Sequence, residues 1–240
     1  MIYENKTRIG YYELDFRGKL KLSALLRMIN TAAEEDAKQL GIGFSVLHPL
    51  NISFVLQRFG LNVVRMPEYD ESITIRTWPA AITRGTFIRK GDMYDQRGTK
   101  LMEWASLWIL LDLEARKILK PSALPVEIPP LGSQEATTEA ERIILPEGSG
   151  DLASTYTHTV RYAEVDTNRH MNNSIYGDLI GNALFQSTET ELDIKNVQIN
   201  FLAETRMGEQ IEVSANLLEG KYIITGQAPG RMAFTAKVSP

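Results

Sequence analysis

Asp166, Asn168 and His170 fall at alternate positions, and Asn172 and Asn173 follow at once. A carboxylate, a carboxamide and an imidazole so close together can supply a base, a hydrogen-bond donor and a proton carrier. Directly behind them Ile175, Tyr176, Leu179, Ile180, Ala183 and Leu184 recur at three- and four-residue steps, which predicts a buried helix over residues 174–188. The first turn of such a helix leaves backbone N–H groups unpaired and carries the positive end of its dipole, so it favours an oxygen that gains negative charge. Asn172, Asn173 and Ser174 suit its N-cap. Asp and Asn also serve turns, so each residue alone has an architectural reading. Their clustering at one helix end points to chemistry.

The elements that must hold this cluster read as a repeat. Residues 3–15 have strand content, and residues 22–40 form a helix with its stripe at Leu22, Leu25, Leu26, Ile29, Ala33, Ala37 and Leu40, stopped at Gly41. Four strands are expected at 52–65, 72–78, 86–94 and 100–111. After residue 153 the order returns: a strand at 155–165, the helix, then strands at 197–203, 210–217, 222–225 and 232–238. Residues 15–20 and 166–171 begin with Asp and each precede a helix, 151 positions apart. The expected fold is α+β, with residues 1–120 and 154–240 each an antiparallel sheet around one long helix. Residues 121–153 hold five of the ten prolines and six acids against Arg142 alone, and read as a linker wrapping the surface. The repeat is also a control, because Arg17 and Lys19 stand in the first half where Asn168 and His170 stand in the second. A purely architectural need of the corner would act on both halves.

Composition narrows the chemistry. The chain has 240 residues, is 43% hydrophobic and 23% charged, and has no run long enough to span a membrane. Its N-terminal residues lack a secretion signal. It contains no cysteine, which excludes disulfides and a thiol nucleophile and fits a cytoplasmic protein. Three histidines without ligand spacing speak against a metal, and no glycine-rich phosphate loop or serine elbow occurs. The linker carries −5 of the net −4, so the remainder is near neutral at about +1, which argues against nucleic-acid binding.

The run Arg161, Tyr162, Glu164, Asp166, Asn168, His170, Asn172, Asn173 and Tyr176 resembles that of the plant and bacterial acyl-acyl-carrier-protein thioesterases. Trp78, residues 84–94, and residues 104–108 before Asp112 resemble the same family's first repeat, so the likeness covers nearly the whole chain. That resemblance implies a double hotdog, two helix-in-sheet repeats per chain. It also implies a further catalytic carboxylate at Glu204, followed by Thr205 where plant members carry cysteine. The substrate would be a fatty acyl group on acyl carrier protein, cleaved without metal or organic cofactor. Glu204, with or without Asp166, would be the base on water. Asn168 and a backbone N–H near Asn173 would polarise the thioester carbonyl. His170 would orient water or carry a proton, and Asp166 would otherwise only fix Asn168 and His170. Asn172, Asn173 and Thr205 are the expected substrate contacts.

Met28, Ile29, Phe54 and Leu56 of the first repeat are candidates for the acyl chain, and Arg84, Arg89, Lys90, Arg97 and Lys100 for a basic face toward an acidic carrier. An acyl-coenzyme A thioesterase, a hotdog hydratase or dehydratase, and a non-catalytic acyl-binding module remain as alternatives, since fold alone does not separate them. Monomer and homodimer are both open.

Overall fold

The computed structural model describes residues 1–132, 136–145, 151–188 and 192–240. The linker features expected at Glu135, Pro146, Glu147, Gly148 and Gly150 lie outside these residues. The first half comprises β1 (Tyr3–Arg8), α1 (Leu22–Gln39), the short α2 (Phe44–Leu47), β2 (Ile52–Val63), β3 (Ser72–Thr83), β4 (Thr86–Asp95), β5 (Lys100–Asp112) and β6 (Lys117–Leu119). The second comprises β7 (Asp151–Thr159), α3 (Ile175–Thr188), β8 (Asn196–Phe201), β9 (Gln210–Leu218), β10 (Lys221–Ala228) and β11 (Arg231–Ser239).

One antiparallel sheet runs through the molecule in the order β1-β3-β4-β5-β2-β8-β11-β10-β9-β7, with β6 on β5. Each half uses its strands in the same order, and the halves join where β2 pairs β8, from Arg58 opposite Asn200 to Asn62 opposite Asn196. Leu22, Leu25, Leu26 and Ile29 of α1 share a core with Leu179, Ile180, Ala183 and Leu184 of α3, and Phe59, Leu61, Trp104, Ile199 and Phe234 supply it from the sheet. The helices meet near their N-termini. A Cβ on Gly177 would sit 2.6 Å from the backbone nitrogen of Ser23, so only glycine allows this approach. Beside it the Ser23 hydroxyl donates to the Asp178 carboxylate.

Between the halves, residues 131–132 and 136–143 lie on the outer face of the sheet as a strap. Its N–H groups at Leu131 and Gly132 donate to the carbonyls of Pro79 and Ala80 on β3. Lys90 of β4, which is buried, donates to the Ala136 carbonyl and pairs Glu139 at 2.8 Å. Gln198 and Asn200 of β8 accept the N–H groups of Glu141 and Ile143 and donate to the carbonyls of Glu139 and Glu141. These bonds satisfy polar groups that would otherwise be orphaned on the covered sheet.

Glu103 of β5 is the strap's acidic anchor. Burial acts against its charge, but bonds from Thr138, Thr137 and Lys100 prevail and hold its pKa at about 2, against an ordinary 4.5. A carboxylate depressed in the folded state contributes stability that is complete above its unfolded value and is lost as pH falls through the folded one. Glu103→Gln is therefore expected to flatten part of the decline in unfolding free energy between about pH 4.5 and about pH 2. Urea titrations of both proteins across that window check it, and parallel declines would rule out this anchor.

Two expectations change here, and one element is added. Residues 161–165 are not strand: β7 ends at Thr159, and Tyr162–Glu164 form a 3-10 turn because the Glu164 carboxylate turns back to accept the Arg161 N–H at 2.7 Å. Residues 117–119, unassigned from sequence, add the short β6. The basic face does not form, since Arg89 is tied to Asp36 inside the first half, Lys90 is under the strap and Lys100 pairs Glu103. Only Arg84 and Arg97 of that set stand exposed, both in turns. Among the described residues no helix is long and apolar enough to cross a membrane.

Candidate active site

The corner that carries the polar cluster is built twice. Asp166 Oδ1 accepts the N–H groups of Asn168 at 2.8 Å and His170 at 3.3 Å. Asp15 Oδ1 accepts those of Arg17 and Lys19, both at 2.9 Å. Backbone bonds close each loop in the same way, from Asp166 N–H to the His170 carbonyl and from Asp15 N–H to the Lys19 carbonyl. The turn needs a left-handed residue, Gly18 in the first half and Arg169, with φ 65°, in the second. The carboxylate of Asp166 thus does the loop-fixing work that Asp15 does where no imidazole follows.

His170 projects from this corner to Glu204, its Nε2 3.0 Å from Oε2. Glu204 lies just past β8, and four hydrogen bonds pin its neighbourhood. Leu202 and Ala203 both donate to the Ala233 carbonyl, Arg231 donates to the Glu204 carbonyl at 2.8 Å, and the Thr205 carbonyl accepts the Met171 N–H at 2.8 Å. The other Glu204 oxygen, Oε1, is met at 2.5 Å by Nη2 of Arg116, which comes from the β5–β6 turn of the first half. Both carboxylate oxygens are therefore held, one by each half of the molecule. Sequence reasoning had no signal for Arg116, which is remote in the chain and sits among turn residues.

The remaining expected residues divide. The side chains of Asn168 and Asn173 have no hydrogen-bond partner among the described residues, and neither has the N–H of Asn173. Both side chains are free to donate, Asn173 two residues ahead of α3 and Asn168 in the loop that Asp166 holds. Asn172 is committed elsewhere, because its carboxamide oxygen accepts both the N–H and the hydroxyl of Ser174, an Asx turn just ahead of α3. Thr205, expected to touch substrate, is fully buried with its hydroxyl 3.2 Å from that of Tyr176. Burial accordingly pushes the Tyr176 phenol up. Among the described residues no group of three or more His, Cys, Asp or Glu side chains is placed to hold a metal ion.

A cavity of about 120 Å³ lies in the first half between α1 and the sheet. Ala33, Ala37, Ile42, Phe54, Phe87, Trp108 and Ile128 give it apolar walls, with Asn30, Glu34 and Arg89 among them. Phe54 is thus on the cavity wall, whereas Met28 and Ile29 pack with the shared helical core and Leu56 is buried in β2 away from it. Burial pulls the Arg89 guanidinium below its usual value, and Asp36 opposes that from 2.6 Å.

Two helix-in-sheet repeats sharing one antiparallel sheet, with the His–Glu contact at one of two matching corners, define a double hotdog protein. Met66 holds the position of Glu204 in the first half, counting back from Glu71 and Glu209, which accept equivalent backbone bonds from Ile9 and Val160. Residues 1–123 match the family model of the acyl-ACP thioesterase N-terminal domain and residues 151–235 that of its C-terminal domain. The chain belongs to the acyl-ACP thioesterase family.

A dodecanoyl-[acyl-carrier-protein] hydrolase of Cinnamomum camphora chloroplasts is 23% identical over 225 residues, 88% of this chain. The chain spans 58% of that plant protein's length. Among solved structures, a 12:0-ACP thioesterase from Umbellularia californica aligns with a TM-score of 0.87 at 17% identity, covering 99% of this chain and 96% of that one. An acyl-ACP thioesterase from Bacteroides thetaiotaomicron aligns with a TM-score of 0.83 at 20% identity, covering 99% and 97%. At such identities the structural likeness speaks for the fold.

Proposed function

We propose that this chain hydrolyses the thioester of a fatty acyl group carried by acyl carrier protein, releasing the free acid and the carrier thiol. The observation that carries the reading is the contact between His170 and Glu204 at 3.0 Å, with the uncommitted donors of Asn168 and Asn173 within three residues of His170 in the chain. Glu204 takes a proton from water as the water oxygen attacks the carbonyl carbon. The carboxamide of Asn168 and the N–H of Asn173 hold the oxygen that becomes an anion, helped by the positive end of α3. Collapse of that intermediate breaks the carbon–sulfur bond. The proton on Glu204 then passes through His170 to the leaving thiolate. Asp166 holds the loop that presents Asn168 and His170.

The apolar cavity of the first half is the place for the acyl chain. Ala33→Phe narrows it, and the expected result is a shift of preference to shorter chains, with kcat/KM for the best wild-type chain lowered at least about tenfold. Thiol release from acyl carrier proteins of graded chain length, run beside the matching coenzyme A esters, tests both statements. Preference for the carrier-bound series supports the carrier as partner, and equal or better turnover of the coenzyme A series would move the substrate to that class. No release from either series, with acyl ligand still bound, would leave an acyl-binding module.

A further inference from the structure

The turn that brings Arg116 to Glu204 is stiff. Asp112 Oδ1 accepts the N–H groups of Glu114 and Ala115, the Arg116 N–H donates to the Asp112 carbonyl at 2.9 Å, and Arg116 itself sits at φ 55°. Below the turn the hairpin pairs Asp112 with Lys117 and Leu110 with Leu119. Leu110 is fully buried, and it packs together with Leu119 in the apolar cluster that includes Phe54, Phe87, Trp108 and Ile128. Those four side chains also line the cavity. One short hairpin therefore has its base in the cavity wall and its tip on the carboxylate.

Among the described residues β6 pairs with β5 alone, and Leu119 supports it from the cavity cluster. Arg116 is 48% exposed and Glu204 30%, so their ion pair adds little to stability by itself. What it can do is set where Oε1 points, and so where Oε2 meets His170. Arg116 is not among the residues that line the cavity, and its contact is with Glu204.

We infer that the β5–β6 hairpin couples the acyl cavity to the catalytic carboxylate, with Arg116 as the positioning residue that transmits chain fit to Glu204. This rests on the hydrolase reading above. A chain that packs fully against Phe54 and Trp108 braces the hairpin, and Arg116 then aligns Glu204 on water. A chain that fills the cavity poorly leaves the hairpin less supported and Glu204 less well aimed. Chain length is in this way read in kcat as well as in binding.

The test is a steady-state series over carrier-bound acyl chains of graded length with the wild-type protein, Arg116→Ala, Arg116→Lys and Leu119→Ala. In the wild type kcat should vary with length. In Arg116→Ala kcat for the best chain should fall about tenfold to 100-fold, as expected for a misplaced catalytic group. Poor chains should change little, so the kcat profile flattens while the KM profile keeps its shape. Arg116→Lys should recover part of the peak. Leu119→Ala, which touches no catalytic group, should flatten the profile in the same sense. An equal loss at every length in Arg116→Ala would overturn the coupling and leave a plain orienting contact, and unchanged kcat would overturn it outright. Absence of thiol release from the wild type at every length would instead be a failure of the hydrolase reading, visible before any variant is made.

Discussion

Glu204→Gln is expected to lower kcat for thioester hydrolysis by about 10³-fold with almost no change in thermal stability, in keeping with the loss of a general base. The substitution keeps size and shape. The Gln carboxamide oxygen still accepts from Arg116 at the site of Oε1, and its NH₂ faces His170 in place of Oε2. The backbone around residue 204 is fixed independently of the side chain, through Arg231, Ala233 and Met171, so the fold is left alone. What disappears is the capacity to take a proton from water.

Asp166→Asn makes the instructive contrast. Its oxygen can still accept the N–H groups of Asn168 and His170, as the Asp166 carboxylate does, so activity should fall far less. Measuring kcat and the melting temperature of both variants side by side separates the roles. Turnover abolished in Asp166→Asn with the fold intact, together with turnover retained in Glu204→Gln, would make Asp166 the base and defeat the proposed assignment.

The internal repeat carries that contrast, and it was legible in the sequence because hydrophobic period and turn residues are local signals. α1 and α3 could be placed from their stripes to within one residue at each end, and most of the strands from alternation between turns. The Asp that opens each corner was visible too, 151 positions apart, and the structure gives both copies one set of backbone bonds.

What could not be read is whatever depends on which face of a strand meets which partner. Arg89 and Lys90 are adjacent in β4 and point to opposite faces, one toward α1 and one under the strap, and neither meets solvent as a basic face would. Thr205 follows Glu204 directly, past the end of β8, and is sealed against Tyr176. Gln198 and Asn200 looked like ordinary polar strand positions until a strap lay over them. Arg116 needed the pairing of two halves 88 residues apart in the chain. Charge and alternation report that a residue is polar or outward, whereas the partner that makes it useful is a property of topology.

Asp36→Ala is expected to be the most destabilising of the substitutions considered, by about 3–5 kcal/mol, the cost of leaving a buried charge without its partner. Asp36 and Arg89 are 4% and 12% exposed at the side chain, and among the described residues their bond of 2.6 Å is supported only by Thr77, 3.3 Å from the same guanidinium nitrogen. The guanidinium cannot escape by losing its proton, because it stays charged at any accessible pH. Replacing both partners removes the problem. Asp36→Leu with Arg89→Met should restore stability to that of the wild type or above it by about 1–4 kcal/mol, since a buried ion pair seldom outperforms apolar packing of similar volume. Urea unfolding of the three proteins checks the order, and a double variant as unstable as the single one would refute it. Arg89 also lines the cavity proposed for the acyl chain, so the double variant turns part of its wall from charged to apolar. If that protein is stable and accepts longer chains, the ion pair is there to limit the chain and not to hold the fold.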